Sequence, residues 1–296
     1  MVKRRWMAGA GLLATAVFLS ESARPDEKPT VVATFSILAD LAQRIGGDHV
    51  RVLTLVGPNG DAHVFEPGPR ESAELAEAGV LIANGLGFEP WLARLEDAAA
   101  FKGTIVVAST GITPLTFTEE AGATDPHAFQ DVSNAEIYAT NIEKGLSAAD
   151  PAHAPDYKAN ADKLIADLAA LDKEVKAQFA TVPQDRRRIL TSHDAFAYFG
   201  KAYGIEFVAV QGLSTEAEPT AEDLAKIVRQ ARNGHLSAVL LENMADPRLA
   251  ETVAQESGVR MGGELYADAL SAPDGPAPDY ISLVRFNARQ LLAAMQ

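Results

Sequence analysis

None of the 296 residues is a cysteine. That excludes thiolate metal sites, a cysteine nucleophile, structural disulfides and a lipid-anchored N-terminal cysteine. Basic charge is scarce: 26 Lys and Arg stand against 40 Asp and Glu, a net charge of −14. An acidic chain of this kind repels phosphate backbones, so no nucleic-acid partner is expected, and its field attracts cations. Long apolar runs are missing apart from Trp6 to Leu19, which is shorter than the roughly 20 residues that cross a bilayer. From Asp156 to Phe179 there is neither glycine nor proline.

What is present begins with a secretion pattern. Lys3, Arg4 and Arg5 precede the apolar stretch, and Ser20-Glu21-Ser22-Ala23 supplies small residues for cleavage. Residues 1–22 therefore read as a cleaved signal peptide, with the Arg4-Arg5 pair leaving the twin-arginine route open beside the general one. Cleavage leaves 23 basic and 39 acidic side chains, a net charge of −16. The expected product is a soluble, monomeric protein of the bacterial periplasm, long enough for two domains of ordinary size.

The remaining chain alternates β-like and helix-like segments. Strands are expected at Thr30–Phe35, Val50–Val56, Val80–Ala83 and Thr104–Ala108, with helices near Leu38–Ile45, Pro69–Ala78 and Pro90–Ala99. The second half repeats the style, with strands at Arg188–Thr191, Glu206–Val210, Ser237–Leu241 and Val259–Leu265. Helices follow there at Ala195–Tyr203, Ala221–Asn233, Pro247–Ser257 and Pro278–Ala294. Such alternation implies an α/β protein with two lobes, each a mainly parallel sheet flanked by helices. Between them, Leu164, Leu168, Leu171 and Val175 recur at helical spacing. The expectation is one long linker helix at 154–181 joining lobes at 23–153 and 182–296.

Polar residues with metal chemistry follow extended apolar segments in four distant places. His63 ends Gly57-Pro58-Asn59-Gly60-Asp61-Ala62-His63, and His127 follows Asp125-Pro126. His193 follows Ile189-Leu190-Thr191-Ser192, and Asp268 follows Leu265-Tyr266-Ala267. Ligands of open parallel sheets sit beyond the carboxyl ends of strands. If both lobes turn those ends toward one cleft, His63, His127, His193 and Asp268 make a four-donor pocket for a borderline divalent cation, zinc above all. His49, His153 and His235 lie in turn contexts and are expected to be incidental.

Other constellations carry less. Ser192-His193-Asp194 has the residue types of a hydrolase triad, but adjacent strand residues point to opposite faces. Asn84-Gly85-Leu86-Gly87 lacks the third glycine of a dinucleotide loop and reads as the turn before a helix. Trp91 and Phe88 are expected to pack in the core or at an interface, and Arg186-Arg187-Arg188 to be a solvated run before a strand.

At these same residues the chain resembles the zinc or manganese solute-binding proteins of bacterial ABC importers. The resemblance covers essentially the whole chain after the signal. It is carried by Val56 to Pro67, by Asn84-Gly85-Leu86-Gly87-Phe88-Glu89-Pro90-Trp91-Leu92, by Asp125-Pro126-His127, by His193-Asp194-Ala195-Phe196 with Tyr198-Phe199, by Gly212 to Thr220 and by Leu265 to Ser271. It implies two α/β lobes joined by one long helix, with the metal between them, and an ABC permease in the inner membrane as partner; four protein donors would close the coordination shell and leave no water to activate, so no enzymatic activity is expected. It places the metal positions on His63, His127, His193 and Asp268. Histidine rather than glutamate at His193 marks the zinc members. Alanine stands at Ala62 where proline is usual, and Phe129 where tryptophan is usual.

The short Thr116–Thr124 loop contains no histidine, which resembles the short-loop, zinc-specific kind (AztC-like) that works with a separate periplasmic zinc chaperone. Glu119, Glu120 and Asp125 are expected to form a mobile acidic lid. Two alternatives stay open: a manganese-binding protein or adhesin of the same fold, and a zinc-dependent hydrolase with Glu66 as its base.

Overall fold

The computed structural model describes residues 28–116, 122–216, 219–234 and 236–296. The expected signal peptide, Glu119 and Glu120 of the expected lid, and His235 lie outside the described residues.

Eight strands and nine α-helices alternate along the described residues. In chain order the first lobe has β1 (Thr30–Phe35), α1 (Ser36–Gly46), β2 (Arg51–Val56), α2 (Pro69–Ala76), β3 (Val80–Ala83), α3 (Leu92–Ala99) and β4 (Thr104–Val107). The helices α4 (Val132–Ala149) and α5 (Ala154–Phe179) follow. The second lobe has β5 (Arg188–Thr191), α6 (Ala197–Tyr203), β6 (Glu206–Ala209), α7 (Ala221–Asn233), β7 (Ala238–Glu242), α8 (Pro247–Ser257), β8 (Met261–Leu265) and α9 (Tyr280–Ala294).

Each lobe holds one four-stranded sheet, in orders β2-β1-β3-β4 and β6-β5-β7-β8. Every pairing is parallel. The middle strands are covered on both faces, which explains continuous apolar runs such as Val80 to Ala83 in place of alternation. The two sheets share a strand order, and each reverses direction beside its first strand. That switch point is where open α/β sheets leave a crevice.

Helix α5 spans 26 residues, about 39 Å at 1.5 Å each. Its buried face is Tyr157, Ala161, Leu164, Leu168, Leu171, Val175 and Phe179. Near one end Asn160 donates to Ile45 O of α1 at 3.0 Å. Farther along, Tyr203 of α6 donates to Asp172 at 3.2 Å and Arg285 of α9 to Glu174 at 2.9 Å. The rod therefore runs along both lobes, as its unbroken pattern implied.

Helix α4 was not anticipated. Its polar residues and Gly145 mask the pattern of Val132, Ala135, Tyr138, Ala139, Ile142 and Leu146, which are the residues it buries. Gly145 is there because α4 lies very close to β4: a Cβ at that position would stand 2.1 Å from Val106 Cγ2. The arginine run is also less solvated than expected, since Arg187 donates twice to Val182 O and Arg188 donates to Gly234 O.

Candidate metal centre

The carboxyl ends of the strands meet, and the loops that leave them deliver the four residues to one place. His63 arrives from the loop after β2. Asp61 Oδ1 accepts the His63 backbone N–H at 2.8 Å, an Asx turn that fixes the loop locally. Trp91 Nε1 donates to Ala62 O at 2.7 Å, anchoring the same loop to its own lobe. The Asp125-Pro126-His127 segment repeats the device, with Asp125 Oδ1 accepting His127 N–H at 2.9 Å. Here the same oxygen also meets the ring Nδ1 at 2.8 Å. Asn84, at the end of β3, donates to Pro126 O at 2.8 Å while Tyr138 OH donates to Asn84 Oδ1 at 2.6 Å.

From the second lobe, His193 follows β5 directly. Glu242, the last residue of β7, accepts the His193 N–H at 3.0 Å with one oxygen and pairs with the ring Nδ1 through the other. Asp268 follows β8 on a segment held by Asn243 and by Gln130, which donates to Ala267 O at 2.6 Å.

The candidate donor atoms of His63, His127, His193 and Asp268 all lie within 4.8 Å of one another, and all four residues are buried. His63 Nε2 stands 3.2 Å from His127 Nε2 and 3.2 Å from Asp268 Oδ2. His193 Nε2 is 3.1 Å from Asp268 Oδ2, and His127 Nε2 is 3.7 Å from Asp268 Oδ1. A cation held at 2.0–2.1 Å sets neighbouring corners of a tetrahedron about 3.3 Å apart. The separations bracket that value. Asp268 Oδ1 is buried without a hydrogen-bond partner, which a cation would supply. Phe88 walls the pocket, its ring 4.8 Å from that of His63 and 5.7 Å from that of His127.

Electrostatics agrees with a site built for positive charge. Burial opposes charge on His193, but the carboxylates of Glu242 and Asp268 outweigh it and hold the imidazole well above its ordinary range. Burial would push Asp268 up, yet His127 and His193 hold it well below the usual carboxylate range.

Several expectations are corrected. Asp125 is not part of a mobile lid: it is fully buried and holds His127. Glu66, the base of the hydrolase alternative, is exposed and lines a groove with Pro67, Ser72 and Arg94, whereas the four donors are buried. His49 and His153 stack on each other at 4.0 Å and take no part in the cluster. Glu242 was missed, because a glutamate closing an apolar strand carries no local mark. Phe88 and Trp91 are core residues as expected, and they also shape the pocket.

Comparison with known proteins gives the geometry a family. Residues 31–294 match the family described as zinc-uptake complex component A, periplasmic (ZnuA). The chain is 34% identical to the iron-binding protein YfeA of Yersinia pestis over 282 residues, covering 94% of this chain and 90% of that one. It is 33% identical to the manganese-binding lipoprotein MntA of Halalkalibacterium halodurans, covering 90% and 88%. The solved structure of the periplasmic zinc-binding protein TroA from Treponema pallidum superposes with a TM-score of 0.86 at 26% identity, covering 90% and 99%. These are binding proteins and not enzymes. The chain belongs to the ZnuA family of periplasmic metal-binding components of ABC importers.

Proposed function

We propose that this protein captures zinc through His63, His127, His193 and Asp268 and hands it to an ABC permease in the inner membrane. The observation that carries the reading is the donor set: three imidazoles and one carboxylate, buried, with their donor atoms within 4.8 Å of one another. Imidazole suits zinc, whereas manganese favours oxygen donors. Glu242 and Asp125 behind His193 and His127 complete the carboxylate–histidine arrangement that orients a ring and strengthens it as a donor. In this reading zinc is the cargo. Release then requires the lobes, which we assign to 23–153 and 182–296 about the 154–181 helix, to separate or the loops to move.

The short return from Thr116 to Thr124, closed by an antiparallel bridge between those two residues, supports the AztC-like subtype and a zinc-donating periplasmic chaperone as second partner. Cleavage after residue 22 and a soluble monomer complete the proposal; the sequence offers no cysteine for the acylation that the name of the Halalkalibacterium relative implies.

A second reading has its own support. Relatives at 34% and 33% identity are named for iron and manganese, so either ion is a competing cargo. Competition among zinc, manganese and iron(II) at equal buffered free concentrations decides. Zinc should occupy the protein at about one equivalent, and His193→Ala should fall well below it in elemental analysis. Preferential manganese or iron uptake would replace the zinc assignment.

A further inference from the structure

The described residues of the segment 212–220 supply no donor to the pocket. Its Thr215 lies across the cleft from the His63 loop. The Thr215 hydroxyl donates to Asp61 Oδ2 at 2.5 Å, while Asp61 Oδ1 accepts the His63 N–H at 2.8 Å. One carboxylate thus joins a donor loop of the first lobe to a loop of the second. Nearby, Asn243 donates to Asn59 Oδ1 at 3.0 Å on the exposed surface, and Asn59 N–H donates to Leu270 O at 2.9 Å.

This side of the pocket is the open one. His63 is 5% exposed, whereas His127, His193 and Asp268 are 0% exposed. The next residue, Val64, is 47% exposed. Asp61, Val64, Thr215, Met244 and Leu249 line a cavity of about 370 Å³ between the lobes. Away from this cavity the lobes are joined by buried hydrogen bonds: Tyr198 OH to Asp125 O at 3.2 Å, Gln130 to Ala267 O at 2.6 Å, and Tyr280 OH to Phe129 O at 2.6 Å. Breaking a buried hydrogen bond strands its groups, while a half-exposed one is replaced by water at far lower cost. Opening should therefore start at the Asp61 side, with the buried ties as its pivot.

We propose that Asp61 is a positioning residue that latches the His63 loop to Thr215, and that the metal enters and leaves past His63 through this cavity. The proposal rests on the donor assignment above. The Asp61 end of the loop leads the opening and carries His63, the buried Trp91–Ala62 bond holds the loop to its own lobe, and the other three donors stay in place. The Thr215–Asp61 hydrogen bond sets how often the loop opens, so it governs release more than the final geometry of the bound state.

The test is stopped-flow transfer of zinc from the loaded protein to a chromophoric chelator, with loading followed in the reverse direction. Thr215→Ala should release zinc about tenfold faster, as expected for losing a hydrogen bond to a charged acceptor. Thr215→Ser, which keeps the hydroxyl, should return to the wild-type rate. Equal release from wild type and Thr215→Ala overturns the latch. Val64→Trp, or Leu249→Trp on the opposite wall, should slow loading and release together and leave their ratio within about twofold; unchanged loading in both overturns the route. Amide hydrogen exchange of residues 57–64 without metal keeps the latch separate from the cargo. Faster exchange in Thr215→Ala supports the latch and equal exchange overturns it, even if the wild type should prove to hold no zinc.

Discussion

Replacing Glu242 with glutamine tests the reasoning about the pocket most directly. The two side chains have the same shape, so the change removes charge and one acceptor with little loss of packing. Glu242 now serves the backbone N–H and the ring Nδ1 of His193 at once. A glutamine has one oxygen for those two donors, and its NH₂ group must face the other. Removing such a supporting partner typically costs about 10- to 100-fold in metal affinity, or about 1.4–2.7 kcal/mol. A second effect opposes it. The carboxylate also favours the protonated imidazole, which competes with the metal, so Glu242→Gln weakens the competitor as well. At pH 6 the two effects partly cancel. As pH climbs through the raised titration range of His193, proton competition fades and the metal effect stands alone. The penalty should therefore grow with pH. Zinc affinity measured against a competing chelator at pH 6, 7.5 and 9 reads it, with circular dichroism confirming the fold. A penalty below about twofold at every pH, or one that shrinks toward pH 9, would refute the account of His193 as a carboxylate-backed donor.

Three further outcomes are expected. Zinc uptake should release protons from His193, fewer as pH rises, because the neighbouring carboxylates raise its titration range and the metal takes the neutral ring; calorimetry in buffers of different ionisation enthalpy counts them. Zinc at 1,000 times its dissociation constant should stabilise the fold by about 4 kcal/mol, seen as a raised melting temperature, because the donors come together only in the folded chain. Gly145→Ala should destabilise by about 1–3 kcal/mol in urea unfolding, since the added methyl would meet Val106 at 2.1 Å; a neutral result would mean that α4 shifts freely on β4.

Much of the architecture is legible in local pattern. Apolar runs of four to six residues are read as parallel strands, and the helix-former-rich stretch around Leu164 to Val175 as a rod, because those signals belong to single elements. Helix α4 escapes the same reading because its register is broken by Gly145, a residue explained only by the approach of another element. Asp125 illustrates a different limit. An acidic residue beside a short polar loop suggests a solvated lid, and only the fold shows it buried and turned onto the imidazole of His127.

The four candidate donors could be named from sequence, because imidazole and carboxylate chemistry belongs to the side chain, strand ends mark His63, His193 and Asp268, and the family resemblance adds His127 from its loop. Their convergence was decided by the tertiary structure, which brings His63 Nε2 and Asp268 Oδ2 to 3.2 Å although 205 positions separate the two residues in the chain. So were the roles of Glu242 behind His193 and of Thr215 across from Asp61. Hydrogen bonds between distant loops depend on how two sheets face each other, and no local propensity encodes that arrangement.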